Sequence, residues 1–295
     1  MGWVIATLIA AAAQTARNAA QSGLTKAIGT LGATQVRFLF GLPFAVLFLG
    51  IAVWWTGEAV PALTAGSLGY TALGAVAQVA ATALMLVTMK SQSFAVTTAW
   101  IKTEPVIVAL VAVVVIGDPL TLAKLVAVVV ATAGVVILSV KPGAGLLGGP
   151  GPVATGLLAG FLFGLAAIGF RGGILGLEEG SFLIRASTVL VVSLAMQTGM
   201  LLVWLLVFDQ EALWASFRVW RASLAAGFLG AFASQFWFIG FSLTSAANVR
   251  TLALVEVILA AGVSRVVFGQ RVTGRQVLGM AVIVLGVGLL LRSQA

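Results

Sequence analysis

Apolar residues run in stretches of eighteen or more along almost the whole chain, separated by short polar or glycine-rich interruptions. A helix needs about twenty such residues to cross the hydrocarbon core of a bilayer. The runs predict ten spanning helices, near 3–24, 33–55, 66–88, 94–116, 119–140, 153–177, 181–208, 222–243, 246–268 and 273–292. The stretch GAGLLGGPGP at 143–152 breaks helix and reads as a linker between a first half, 1–142, and a second, 153–295. Each half then holds five spans. Five is odd, so the second half enters the bilayer from the opposite face. The expected architecture is an all-α integral membrane protein with ten transmembrane helices in two inverted five-helix repeats.

A repeat is visible directly in the residues. Residues 102–141 and 250–292 are two versions of one segment, and an offset of 152 lays Glu104 on Glu256, Gly117 on Gly269, Thr121 on Thr273 and Gly134 on Gly286. Both acids fall about ten residues into an apolar run, where a bilayer would put them near its midplane. A carboxylate there is costly and marks function by default. Looser echoes pair Arg17 with Arg171 and Arg37 with Arg185.

Composition narrows the chemistry. Only 8% of the residues are charged, and the chain contains no cysteine and no histidine. Disulfides, thiolate nucleophiles, imidazole metal ligands and histidine proton relays are therefore excluded, and no cofactor or metal is expected. Six of the eight acids (Glu58, Asp118, Glu178, Glu179, Asp209 and Glu211) lie in predicted connectors, leaving Glu104 and Glu256 for the interior. The net charge of +8 does not argue for nucleic acid in such a chain, because its meaning depends on where the cations sit.

Inside the predicted spans, Arg17, Arg37, Lys102, Arg171, Arg185 and Arg250 face only those two acids. Arg37, Arg185 and Arg250 lie near span ends and have a second reading, snorkelling to the headgroups. Arg17 and Lys102 lie deeper. The interior is net basic, which favours an anionic or zwitterionic passenger whose carboxylate or phosphate meets guanidinium groups. Gln14, Arg17, Asn18 and Gln21 recur at i, i+3, i+4 and i+7 and form one polar stripe on an Ala-rich helix. That stripe must face protein or water, either as cavity lining or as hydrogen bonding between helices. Gln78 and Gln235 are further candidate contacts within spans.

Two readings are open for Glu104 and Glu256. One is a proton-coupling or substrate-amine site. The other is an internal ion pair, with Arg17 or Arg171 as the partner of Glu104. Pro105 removes a backbone donor and strains the carbonyl of Ile101, so the fourth span should bend beside Glu104. Trp100 and Trp237 could clamp a substrate or simply pack, whereas Trp54, Trp55, Trp204, Trp214 and Trp220 read as an interfacial belt. In the sixth span, Gly160/Gly164, Gly169/Gly173 and Gly172/Gly176 allow close helix approach.

The Pro-containing span, short G-[DE]-x-x-T-type connector and glycine-rich final span, seen as IGDPLT…AGVVIL and FGQRVT…LGVGLL, resemble the EamA-type family of the drug/metabolite transporter superfamily. The resemblance covers nearly the full chain, with one EamA-like unit in each half. It implies ten helices, a central cavity between inverted repeats, and export of small metabolites. The second copy departs from the pattern, with Gln270 at the connector acid and Val257 opposite Pro105. The first span reads AAAQTARNAAQ where members often carry an aromatic and a small residue, which implies a differently lined pocket.

The expected function is secondary active export, by alternating access, of a small anionic or zwitterionic metabolite, amino-acid-like or an organic acid. The alternative within transport is a multidrug exporter that captures lipophilic cations on Glu104 and Glu256. A membrane-embedded enzyme lacks His, Cys and loops long enough for a site, and a scaffold subunit would not need repeat-matched midplane acids. The expected partners are the lipid bilayer and a small-molecule substrate, with proton coupling if the acids titrate; monomer and homodimer are both open. The expected location is the cell membrane, a bacterial inner membrane, with many passes. Connector cations on the face shared by the termini are Lys124 and Arg292; Lys26, Lys90, Lys141, Arg218, Arg221, Arg271 and Arg275 lie on the other. The positive-inside rule thus puts both termini outside, against the family's usual orientation.

Overall fold

A computed structural model describes residues 1–91, 101–139, 150–259 and 273–293, and these are helical with no strand. Trp100, Gly269, Gln270 and residues 143–149 of the expected linker lie outside the described residues; its last three residues, from Pro150, already begin a helix. The elements are α1 Gly2–Leu39, α2 Leu42–Thr56, α3 Ala65–Ser91, α4 Glu104–Ile116, α5 Leu122–Ser139, α6 Pro150–Leu175, α7 Phe182–Phe208, α8 Gln210–Arg218, α9 Trp220–Leu243, α10 Ala246–Leu252 and α11 Gly274–Arg292. Among the described residues, six stretches are long and apolar enough to cross a membrane, and the helices at 104–116 and 122–138 are apolar but shorter.

The chain folds into two compact units, and each draws on both halves of the sequence. Unit 1 is Met1–Val76 with Gly169–Thr244, and unit 2 is Ala77–Ile168 with Ser245–Ala295.

In unit 1, α1 runs from the expected first span into the second. It is a pair of helical limbs joined at Ile28 and Gly29, where Gly29 holds φ 71° and ψ 175°. That region is open essentially to glycine alone. A Gly29→Ala variant should lose about 1–3 kcal/mol of stability, read as a lower melting temperature in detergent. The limb after the break continues through a turn at 40–41 into α2, which Pro43 starts and Gly57 ends in the left-handed conformation.

Both limbs of α1 pack on α9 along a glycine seam. A Cβ at Gly227 would lie 2.6 Å from the Phe40 carbonyl carbon, so only glycine lets the backbones meet there. The glycine-rich sixth span does the same against α3. A Cβ at Gly169 would come within 2.7 Å of the Gly74 nitrogen, and the hydroxyls of Thr64 and Ser67 donate to the Gly176 and Gly173 carbonyls at 2.8 and 2.7 Å.

Helix α8 was not expected as an element. Asp209 caps it by accepting from the Ala212 N–H at 3.1 Å, Leu213 and Ser216 face inward, and Phe217 packs on Phe40 with ring centroids 5.3 Å apart. Trp214, Phe217 and Trp220 remain exposed beside Arg218 and Arg221, the pattern of a helix lying in a membrane interface.

Unit 2 is organised about α5 against α11. The threonines matched by the repeat both cap helix starts. Thr121 accepts from the Lys124 N–H at 3.3 Å, and Thr273 forms a capping box with Gln276. Gly117 ends α4 with φ 69°, so the glycine and the threonine of the connector motif are a helix stop and a helix start.

The matched glycines sit in reciprocal contacts. A Cβ on Gly134 would lie 2.6 Å from the Ile283 nitrogen, and one on Gly286 would strike the Ala131 backbone. Residue 134 corresponds to 286 and 131 to 283 under the 152 offset, so each contact is the other's image. Such self-complementary pairing is what a local two-fold axis produces.

Candidate functional site

Two polar constellations stand out, one in each unit. In unit 2, Ile101 is followed by two non-helical residues before α4 begins at Glu104 with Pro105 in its first turn. The ninth span breaks at the corresponding place, with α10 ending at Leu252, a turn at 253–254, and helix resuming over 255–259. Each acid therefore lies at or just inside the start of a half-helix, where unpaired N–H groups and the helix dipole favour negative charge.

Each acid also holds a cation from the other copy. Arg250 Nε lies 3.0 Å from Glu104 Oε1, and Lys102 Nζ donates to Glu256 Oε2 at 3.2 Å. The four side chains are between 8% and 19% exposed, so solvent screens both pairs weakly. This corrects the expected partners of Glu104, since the cation is Arg250 and neither Arg17 nor Arg171. It also corrects the snorkelling reading of Arg250, which points at a carboxylate instead. The cause is the broken ninth span, which has no proline to announce it.

In unit 1, the first limb of α1 carries Gln14 and Arg17, while Arg37 lies on the second limb. Gln14 Oε1 accepts from the Trp237 indole at 3.1 Å, and Trp237 is only 5% exposed. Trp237 is thus a buried, hydrogen-bonded wall of α9. Two turns earlier on the same helix face lies Gly230, where a Cβ would meet Arg37 Cγ at 3.4 Å and Arg17 Cδ at 3.6 Å. Both arginine stems thus cross α9 at one point. Arg37 lies over the Phe38 ring, 5.1 Å from its centroid. Gln235 donates to the Ser187 hydroxyl at 2.8 Å, tying α9 to α7.

The remaining candidates divide between visible tasks. Arg171 donates to the carbonyls of Phe241 and Thr244 at 2.6 and 2.5 Å, satisfying acceptors that the end of α9 leaves open. Arg185 is half-buried near the start of α7, and Gln78 is half-buried on α3 in unit 2. Asn18 and Gln21 continue along α1, but their side chains lie outside the described residues. Sequence reasoning did not select Asn248, a buried polar residue that lines a small hollow with Asp118, Lys124 and Ser245.

Charge separates the constellations. The five acids of unit 1 are Glu58, Glu178, Glu179, Asp209 and Glu211, and none lies in its long helices. The two interior acids both belong to unit 2 and both hold cations there.

Residues 152–292 match the family model described as the EamA-like transporter family. This stretch, a little under half of the chain, is similar to the EamA-like transporters. The family is part of the drug/metabolite transporter superfamily. The family match and several long apolar helices support a multi-pass membrane protein of the transporter type. A solved structure described only as "Crystal structure of protein" superposes with a TM-score of 0.74 at 14% identity, covering 99% of each chain. At that identity the likeness concerns the fold alone. No curated protein matches the chain.

Proposed function

We propose that this protein is a secondary active transporter that exports a small anionic or zwitterionic metabolite, amino-acid-like or an organic acid, by alternating access. In this reading residues 1–142 and 153–295 are two EamA-like units in inverted orientation. The reciprocal contacts of Gly134 and Gly286 support that relation, as do the matched helix breaks before Glu104 and Glu256.

One observation carries the charge assignment. The stems of Arg17 and Arg37 converge at Gly230 on α9, and Arg17 is buried there. A buried guanidinium attracts a carboxylate or phosphate and presents it a planar fork of donors. Arg17→Gln should therefore weaken binding of the anionic ligand by about ten-fold or more, the equivalent of one charge-assisted hydrogen bond at roughly 1.5–3 kcal/mol. Arg17→Lys should recover only part, because it keeps the charge and loses the fork. Binding measured by thermal shift of the purified protein checks this, since a ligand of the folded state raises its melting temperature. Stronger binding of lipophilic cations by Arg17→Gln would instead support capture of cations on the acids.

Orientation is tested separately. The chain has no native cysteine, so single cysteines report without background. With the termini outside, Glu58→Cys should react with an impermeant maleimide added to intact cells, and Arg218→Cys should react only after lysis. The reverse pattern places the termini in the cytoplasm.

A further inference from the structure

Helix α8 sits where the hydrocarbon of a bilayer would end. The last turns of α7 expose Trp204, Val207 and Phe208, side chains suited to lipid tails, and Asp209 turns the chain directly into α8. Trp214, Phe217 and Trp220 then recur every third residue, all exposed, while Leu213 and Ser216 are buried. Arg218 ends α8 and Arg221 lies in the first turn of α9, both exposed. The junction between them is locked. The Ser223 hydroxyl donates to the Ser216 carbonyl at 2.8 Å, the Ser216 hydroxyl donates to the Leu213 carbonyl at 2.6 Å, and both serines are fully buried. Among the described residues neither arginine has an ion pair with an acid. Asp209 is occupied in capping α8, and Glu211 lies seven residues before Arg218, about 10 Å along the helix. Arg221 lies over the Trp220 ring, 5.4 Å from its centroid, a contact that supplies no counter-ion.

The inner side of α8 meets the break in α1. Ile28, at the break, clusters with Leu24 before it and with Ala33, Val36 and Phe40 after it, and Ala215 of α8 packs on the same cluster. A Cβ at Gly32 would lie 3.4 Å from the Ala212 carbonyl oxygen, so the α8 backbone runs close against the second limb. We infer that Arg218, Arg221 and the aromatic face of Trp214, Phe217 and Trp220 form a site for an anionic phospholipid of the surrounding bilayer, and that this lipid seats α8 against the α1 break. The rings take the boundary between headgroup and acyl chain, where aromatic side chains gather. The guanidinium forks match the oxygens of the phosphodiester. A phosphatidylcholine carries the same phosphodiester but adds a quaternary ammonium that opposes the arginines. Two arginines near the surface favour the anionic lipid by a factor on the order of ten.

The test follows the melting temperature of the full-length purified protein in detergent as dioleoylphosphatidylglycerol or dioleoylphosphatidylcholine is added. Phosphatidylglycerol should stabilise the protein at about ten-fold lower mole fraction than phosphatidylcholine. Arg218→Gln combined with Arg221→Gln should make the two lipids equivalent. Arg275→Gln combined with Arg292→Gln removes the same charge from unit 2 and should leave the preference intact. If the first pair of substitutions prevents folding, salt serves in its place. At about 1 M the Debye length falls to about 3 Å, and the unmodified protein should lose most of its preference. Seating is read from a single cysteine, Ala215→Cys, in a chain that has none of its own. A maleimide should label it several-fold more slowly in vesicles containing phosphatidylglycerol than in phosphatidylcholine alone, and the Arg218→Gln/Arg221→Gln pair should remove that protection. Equal action of the two lipids overturns the site. So does a preference that survives loss of both arginines, or one that both pairs of substitutions erase alike. Equal labelling of Ala215→Cys in the two kinds of vesicle overturns the seating of α8.

Discussion

Glu104→Gln should destabilise the purified protein by about 3–5 kcal/mol, because it leaves the Arg250 guanidinium buried without its counter-charge. Arg250→Gln should cost a similar amount by stranding the carboxylate. Reversing both partners, Glu104→Arg with Arg250→Glu, should recover a substantial part of the loss. A double-mutant cycle on melting temperatures measures the coupling between the two side chains. The pair Lys102–Glu256 is more exposed on the lysine side, at 19%, so Glu256→Gln should cost less than Glu104→Gln. The same variants separate clasp from coupling. If the acids carry protons, Gln at either position abolishes transport driven by a pH gradient while exchange without a gradient survives. If the pairs act only as a clasp between the two copies, stability falls and the gradient dependence of the remaining transport is unchanged.

Gly286→Leu should be the most damaging substitution in α11. A Cβ there already strikes the backbone of Ala131, so a larger side chain must push α5 and α11 apart along their whole seam. Forced overpacking costs about 1–3 kcal/mol where neighbours can yield, and backbone yields least, so loss at or above the top of that range is expected. Gly134→Leu, its image, should behave alike because its Cβ would approach the Ile283 nitrogen at 2.6 Å. Gly288→Leu is the control, since a Cβ at that exposed position meets nothing within 4 Å. Yield and monodispersity after detergent extraction report the difference. Equal behaviour of Gly286→Leu and Gly288→Leu would contradict the packing of α5 against α11.

The sequence was most informative where one residue has one physical task. Pro105 announced the bend beside Glu104, and the glycines of the sixth span announced close approach to a neighbour. The break at 253–254 was hidden because Leu-Val-Glu at 254–256 has no helix-breaking residue, and only its match to 102–104 hints at it. The two limbs of α1 part at Ile28 and Gly29, inside the interval between the expected first two spans. Helix α8 was absorbed into a connector because its nine residues are too short and too polar to register as a span. The partner of Glu104 was beyond reach altogether. Arg250 lies 146 positions away, and its position near a predicted span end made snorkelling the simpler reading.

Counterflow in liposomes tests the central claim most directly. Vesicles containing the purified protein are loaded in turn with unlabelled alanine, succinate, glycerol 3-phosphate or tetraphenylphosphonium, and uptake of the same labelled compound is followed from outside. The account predicts transient accumulation of an anionic or zwitterionic compound above its equilibrium level, with Arg17→Gln abolishing it and protein-free vesicles showing none. Exchange of tetraphenylphosphonium alone, or exchange of an anion that persists undiminished in Arg17→Gln, would contradict it.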